Sequence, residues 1–259
     1  MIPFENIKTA FSVGLQSRGE DLLREYLQYE ILKLIFEGTY AHKYTFLGGT
    51  CLRICYGTNR FSEDLDFDNV DLTKEEFEET AAAIKLGLER LGFKVEISFT
   101  YKGAFHCKVR FPALLYDVGL SPHKEARVLI KLDTEKQHYD YERALIPIDK
   151  FGVRTDVLAV PLSLLASQKI AAIMGRKRPK GRDYFDLRWI LAKTTPDYGY
   201  LEARFGVTDA DGLRALVNER IAPFSFDDLA KDVGPFLFAE EDIASVRGFA
   251  EYWQTVELG

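Results

Sequence analysis

Cysteine is scarce in this chain: Cys51, Cys55 and Cys107 are the only three in 259 residues. The odd count and the lack of any Cys-x-x-Cys argue against a disulfide framework or a zinc ribbon. Cys51 and Cys55 lie one helical turn apart, and buried small apolar residues are the expected role. No apolar run approaches the roughly 20 residues needed to span a bilayer. The opening MIPFENIKTA has no basic segment followed by an apolar one, so a signal peptide is not expected. These absences suggest a reducing cytoplasm and no membrane partner. Repeats and low-complexity segments are missing too. There is no Gly-Lys-Ser/Thr and no Gly-x-Gly-x-x-Gly, which excludes a P-loop and a dinucleotide fingerprint. His42, His106, His123 and His138 show neither metal-ligand nor triad spacing.

An excess of positive charge is also lacking. The net charge is −6, whereas a dedicated nucleic-acid coat is usually basic overall. A local patch is enough for steering, however. The stretch RKRPKGR puts Arg176, Lys177, Arg178, Lys180 and Arg182 into seven positions. What is plentiful is ordinary: 47% hydrophobic and 29% charged residues, enough for a sizeable core.

Periodicity divides the chain. Apolar residues at helical spacing predict a helix over 18–38, and YTFLGG then reads as a short buried strand. A short helix is expected from Thr50, with Gly57 as its stop. SEDLDFDNV alternates as a strand. Residues 73–92 form a helix in which Thr73 and Glu76 make a capping box. Three strand-like runs follow: FKVEISFT, AFHCKVRFPALL and EARVLIKLDT. In the last, Val128, Ile130 and Leu132 share one face, with Leu129, Lys131 and Asp133 on the other. After Asp156 the pattern turns helical, with Pro161 expected as a first helical residue and Gly175 as a stop. GRDYFDLRWILAK reads as the next helix, and further short helices follow. The expected fold is α+β: an N-terminal mixed sheet with flanking helices over 1–156, then a helical domain over 157–259.

Two motifs carry chemistry. Asp64 and Asp66 leave the same face of a strand while Leu65 and Phe67 point into the core. Paired anions repel, and a divalent cation between them relieves the cost. Such oxygen-rich sites suit Mg²⁺ or Mn²⁺. A third carboxylate from a neighbouring strand would complete a two-metal site, with Asp133 the best candidate and Glu96 its rival. The plainer alternative is a solvated edge strand, which Asp68 would extend. Gly48-Gly49 precedes a helix-like run, where backbone N–H groups and the Thr50 hydroxyl could cradle phosphates, or it is simply a strand-to-helix turn. In the later helix, Lys169 either snorkels to solvent or reaches into a cleft. Asp183 and Asp186 share a helix face in the first turns, where acids commonly cap. The aromatics of RDYFDLRWI are expected in the core.

Together these stretches resemble a known family. Leu47-Gly48-Gly49-Thr50 followed by Asp64-Leu65-Asp66-Phe67 resembles the signature of polymerase-β-like nucleotidyltransferases. GGTCLRICYGTNRFSEDLDF and QKIAAIMGRKRPKGRDYFDL are similar to two motifs of the AbiEii/AbiGii-type toxins within that superfamily. The resemblance implies a toxin that transfers a nucleotidyl group from an NTP, in some members to tRNA 3′ ends, with a cognate antitoxin as partner. It implies that Asp64 and Asp66 bind metal, with Asp133 a less secure third ligand. It also implies that Gly48, Gly49, Thr50, Arg60, Ser62 and Lys169 meet the nucleotide. Asp183 would orient Lys169, Arg182 or an incoming group, and the helical domain would bring Lys169 and the basic loop 176–182, as RNA contacts, to the cleft. Two other readings stand beside this one: the same chemistry on a small-molecule or protein hydroxyl, and a catalytically silent binding module.

Overall fold

The computed structural model describes residues 2–259, and they form two compact units. The first comprises the chain to Cys55 and Phe61–Ala159; the second comprises Tyr56–Arg60 and Val160–Gly259.

The first unit is built on alternation. Its elements run α1 (Phe4–Thr9), α2 (Gly19–Phe36), β1 (Tyr44–Leu47), α3 (Gly48–Ile54), β2 (Leu65–Asn69), α4 (Lys74–Arg90), β3 (Glu96–Lys102), β4 (Ala104–Phe111), α5 (Leu114–Asp117), β5 (Val128–Glu135), β6 (Ala144–Lys150) and β7 (Val153–Ala159). The strands form one mixed sheet in the order β3-β4-β5-β2-β1-β7-β6. β2 runs parallel to β5 and antiparallel to β1. It is therefore an inner strand, which rules out the edge-strand reading of Asp66 and Asp68, with Asp64 immediately before it.

Register puts every second residue on one apolar face: Phe46, Leu65, Phe67, Leu132, Ile130, Cys107, Val109 and Phe111 are all buried. α2 and α4 cover this face. The ring of Phe67 lies 6.3 Å from Phe36, 5.5 Å from Tyr44 and 5.4 Å from Phe46, while Phe77 of α4 meets Phe99 and Phe105. Each such side chain contributes about 1.5–3 kcal/mol on burial. The capping box forms as expected, with Glu76 N donating to Thr73 Oγ1 and Thr73 N to the Glu76 carboxylate.

Three local differences from the sequence reading have clear causes. α3 begins at Gly48 rather than Thr50, because Gly48 turns the chain at φ +80 directly out of β1. β4 stops at Phe111: Pro112 follows, and the chain then turns into α5. The β6–β7 hairpin has no counterpart in the sequence reading; its two-residue loop is Phe151-Gly152, both at positive φ.

The second unit is helical: α6 (Leu162–Gly175), α7 (Gly181–Leu191), α8 (Tyr198–Phe205), α9 (Ala210–Ile221), α10 (Phe226–Val233), α11 (Ile243–Arg247) and α12 (Phe249–Thr255). Pro161 is the N-cap of α6 rather than its first helical residue. Asp197, Asp209 and Ser225 accept N-cap hydrogen bonds at α8, α9 and α10. Tyr184 of α7 sits edge-on to Phe226 and Phe249, and Phe249 stacks on Trp253. These rings form the unit's core, so the aromatics of α7 are packing residues as expected, apart from the half-exposed Trp189.

Candidate active site

The polar face of the sheet gathers the carboxylates. Asp66 on β2 and Asp133 on β5 are register partners on adjacent parallel strands, which places their Cα atoms about 4.8 Å apart. Asp64 precedes Asp66 by two residues and shares its face. Glu96 lies on edge strand β3 opposite Arg110, which itself pairs with Leu129, four positions before Asp133. Asp133, not Glu96, therefore neighbours the Asp-x-Asp pair. Asp68 has a different job. It is buried, and accepts from the Gln137 backbone N at 2.9 Å and the Tyr141 hydroxyl at 2.6 Å.

Two cations share the face. Lys131 Nζ donates to Asp64 Oδ2 at 3.1 Å. Burial works to lower the Lys131 pKa, but Asp64, helped by Asp133 and Glu63, outweighs it and holds the ammonium above its usual range. His106 on β4 is in register with Asp133, and its Nδ1 lies 2.8 Å from Asp133 Oδ1. Spacing along the sequence gives His106 no role. The alternation of AFHCKVRF could have placed it on the polar face, but only the β4–β5 register shows that it meets Asp133.

The glycine turn is fitted to the carboxylates. A Cβ on Gly48 would lie 2.5 Å from Asp66 Oδ2, and φ +80 is itself unfavourable for any residue with a Cβ. Gly48 thus both turns the chain and clears space beside Asp66. Gly49 follows it into α3. Thr50 is fully buried and its hydroxyl donates to the Asp64 backbone carbonyl. In this structure that hydroxyl ties α3 to the start of β2. Gln28 of α2, also buried, donates from Nε2 to the carbonyls of Ser62 and Glu63 and fixes the lead-in to β2. Arg53 of α3 pairs with Glu25 of α2 at 2.9 Å, and Lys150 joins Glu25 at 2.8 Å. Burial depresses the Lys150 pKa, with Glu25 opposing.

Asp64 is engaged by Lys131 and Asp133 by His106. Among the described residues no three or more His, Cys, Asp or Glu side chains converge as a ready coordination cluster. The residues nevertheless fit a hard divalent cation. Asp64, Asp66 and Asp133 offer only oxygen donors, two of them in direct register, and the missing Cβ of Gly48 leaves room at Asp66 Oδ2.

The second unit holds a separate charge network. Lys169 does not snorkel; it is buried, with Nζ 3.0 Å from Asp183 Oδ1 and 2.7 Å from Asp186 Oδ2. Arg176 Nε meets Asp183 Oδ2 at 2.8 Å. Arg60 is 1% exposed and grips Asp186 with two hydrogen bonds of 2.6 Å. Burial pushes the Asp186 pKa up, but Arg60 and Lys169 overcome it and keep the carboxyl below its ordinary range. Arg60, expected at the nucleotide, is here committed to Asp186, 126 residues away in sequence. Arg176 is likewise engaged, and Lys180 lies 3.5 Å from Asp232. Lys177 and Arg178 are exposed without ion-pair partners among the described residues, and Arg182 is half-exposed.

A mixed sheet carrying Asp64, Asp66 and Asp133 beside a glycine turn, followed by a helical unit, defines a nucleotidyltransferase-like fold. The model of the family described as nucleotidyl transferase AbiEii toxin, type IV toxin–antitoxin system, matches residues 30–252, and the chain belongs to that family. Two crystal structures from Helicobacter pylori share the fold: JHP933, and a protein provisionally described as a nucleotidyltransferase. Each is 20% identical with a TM-score of 0.54 over 90% of this chain, covering 91% and 93% of the respective neighbours. No curated protein sequence gives a significant match. Among the described residues, no helix is long and apolar enough to cross a membrane.

Proposed function

We propose that this protein transfers a nucleotidyl group from an NTP to a hydroxyl of RNA, with the tRNA 3′ end as the favoured acceptor and the toxin–antitoxin pairing of its family as its context. The observation that supports this most is the in-register pair Asp66 and Asp133 with Asp64 on the same face and the Gly48 turn cleared beside Asp66. Asp64, Asp66 and Asp133 would hold Mg²⁺ or Mn²⁺. Such ions neutralise the triphosphate and the leaving pyrophosphate and lower the pKa of a bound hydroxyl. In the reaction the acceptor oxygen forms a bond to the α-phosphorus, the bond from that phosphorus to the bridging oxygen breaks, and pyrophosphate departs. Asp133, which meets His106 through Oδ1, is proposed to take the hydroxyl proton on Oδ2. Gly48, Gly49 and Thr50 shape the turn proposed to receive the phosphates. Lys169 has three N–H donors and uses two on Asp183 and Asp186; the third is proposed to serve a substrate phosphate. Lys177, Arg178 and Arg182, with Arg176 and Lys180, are proposed to contact the RNA backbone.

The test is incubation with each α-labelled NTP, Mg²⁺ and total RNA. Label should enter RNA with the wild-type chain and vanish with Asp66→Ala. Label on protein or on a small molecule would replace the RNA reading, and no label at all would overturn the enzymatic one. Expression in a bacterial host should arrest growth, and Asp64→Ala should relieve the arrest.

A further inference from the structure

Beside the carboxylates, the polar face of the sheet continues as a basic row that the reaction above does not use. Lys108 on β4 and Lys131 on β5 are direct register partners. Like charges placed opposite each other across antiparallel strands are destabilising. Lys131 is neutralised by Asp64, whereas Lys108 has no ion-pair partner among the described residues. Arg110 follows on the same face of β4 and donates to Ser98 Oγ at 2.7 Å. The acidic groups facing this row are Asp133 at one end, Asp64 beside Lys131, and Glu96 opposite Arg110 at the other end. None of them is the register partner of Lys108, whose neighbours across the strands are Ser98 and Lys131.

Spacing gives the row a direction. Successive same-face residues on a strand are about 6.8 Å apart. The pair His106–Asp133 lies level with Asp66, the pair Lys108–Lys131 level with Asp64, and Arg110 one step beyond both carboxylates, at intervals comparable to the phosphate repeat of an extended polynucleotide. Since Lys131 is matched by Asp64, the uncompensated charge of the row is Lys108, and a bound phosphate would supply its counter-ion. We infer that Lys108, with Lys131 and Arg110, forms a phosphate-binding strip that tracks the backbone of the acceptor strand as it leaves the carboxylates. This inference rests on the RNA-acceptor reading above.

The experiment measures binding, not turnover. The full-length protein is titrated into a fluorescein-labelled single-stranded oligouridylate over a series of KCl concentrations, and separately into a non-hydrolysable NTP analogue with Mg²⁺. Lys108→Gln should weaken oligonucleotide binding several-fold at low salt. It should also reduce the slope of log K against log salt by about 0.7, the value for one phosphate contact on a single strand. Lys108→Arg should restore both, and Lys85→Gln on α4 should leave both unchanged. NTP-analogue affinity should not move. An unchanged salt slope for Lys108→Gln overturns the strip, and loss of analogue binding instead reassigns it to the donor triphosphate. A wild-type chain that labels RNA while the slope is unaffected defeats this inference alone. One that shows the slope effect but labels nothing defeats only the transfer reading.

Discussion

Gly48→Ala separates a turn residue from a site residue. The substitution adds a methyl group at φ +80, which costs about 1–2 kcal/mol for an L-residue. It also places that methyl 2.5 Å from Asp66 Oδ2 and 3.2 Å from Asp66 Cβ and Cγ. Ordinary contact begins near 3.4 Å, so the carboxylate must retreat by roughly 1 Å. Accommodating an extra methyl in packed surroundings adds about 1–3 kcal/mol, and a 1 Å misplacement at a reacting centre costs about 100-fold in rate. Gly57 supplies the control. It has the same φ of +80, but a Cβ added there would meet no atom within 4 Å, so Gly57→Ala carries the backbone cost without the clash. Urea unfolding should show both variants destabilised, Gly48→Ala more. Label transfer from α-labelled NTP to RNA should fall about 100-fold in Gly48→Ala and stay near wild type in Gly57→Ala, and Mn²⁺ binding followed by EPR should weaken only in the former. Equal stability losses with equal transfer rates would refute the fitted contact and leave Gly48 as a turn and nothing more.

Asp186→Ala leaves Arg60 buried without its partner and should destabilise the helical unit by about 3–5 kcal/mol in urea unfolding. Because the Asp186 pKa is depressed in the folded protein, its contribution is fully present above the ordinary carboxylate value of about 3.9 and is lost as pH falls through the lower folded value. The acid-side decline in stability should therefore be shallower in Asp186→Asn than in the wild type. Gly181→Ala should be among the most disruptive single substitutions, since its Cβ would overlap the Leu229 carbonyl oxygen where α7 meets α10; a loss of cooperative unfolding by circular dichroism checks it. Burial pushes the Cys107 thiol up to about 12, and Cys51 is fully buried. Iodoacetamide should therefore label only Cys55 in the native chain and all three cysteines in urea, as read by mass spectrometry.

Local signals in the sequence were legible where the chemistry is local. Thr73 and Glu76 announced their capping box, and the 128–133 alternation put Lys131 and Asp133 on one face. What the sequence could not show depends on register or on unusual backbone. The β6–β7 hairpin has a two-residue loop with both residues at positive φ, a turn ordinarily marked by Asn-Gly or Asp-Gly. Here it is Phe151-Gly152, and Phe151 adopts φ +60. Its ring packs 5.6 Å from Phe11, 5.6 Å from Tyr26 and 5.4 Å from Tyr29, and this tertiary contact offsets the local penalty. Pro147 further disguised β6, although on an edge strand its missing N–H is tolerated. The choice between Asp133 and Glu96 likewise needed the strand order, because both sit on plausible strands in sequence.

The residues of the two family-like motifs divide into different kinds of work. Asp64, Asp66 and Asp133 remain half-exposed on a sheet face. Asp64 meets Lys131 and Asp133 meets His106, groups that a cation or phosphate could displace. Arg60 and Asp186 are the opposite case: both are buried, joined by two short hydrogen bonds, and tied through Lys169 to Asp183. Removing either partner strands a charge in a dry interior, so these positions tolerate little change for reasons of folding alone. Lys169 belongs with the buried group. Two of its donors complete the buried network, and the network in turn fixes the position of the third. Its burial therefore follows from the ion pairs with Asp183 and Asp186 alone, and the phosphate role proposed above would rest on its third donor.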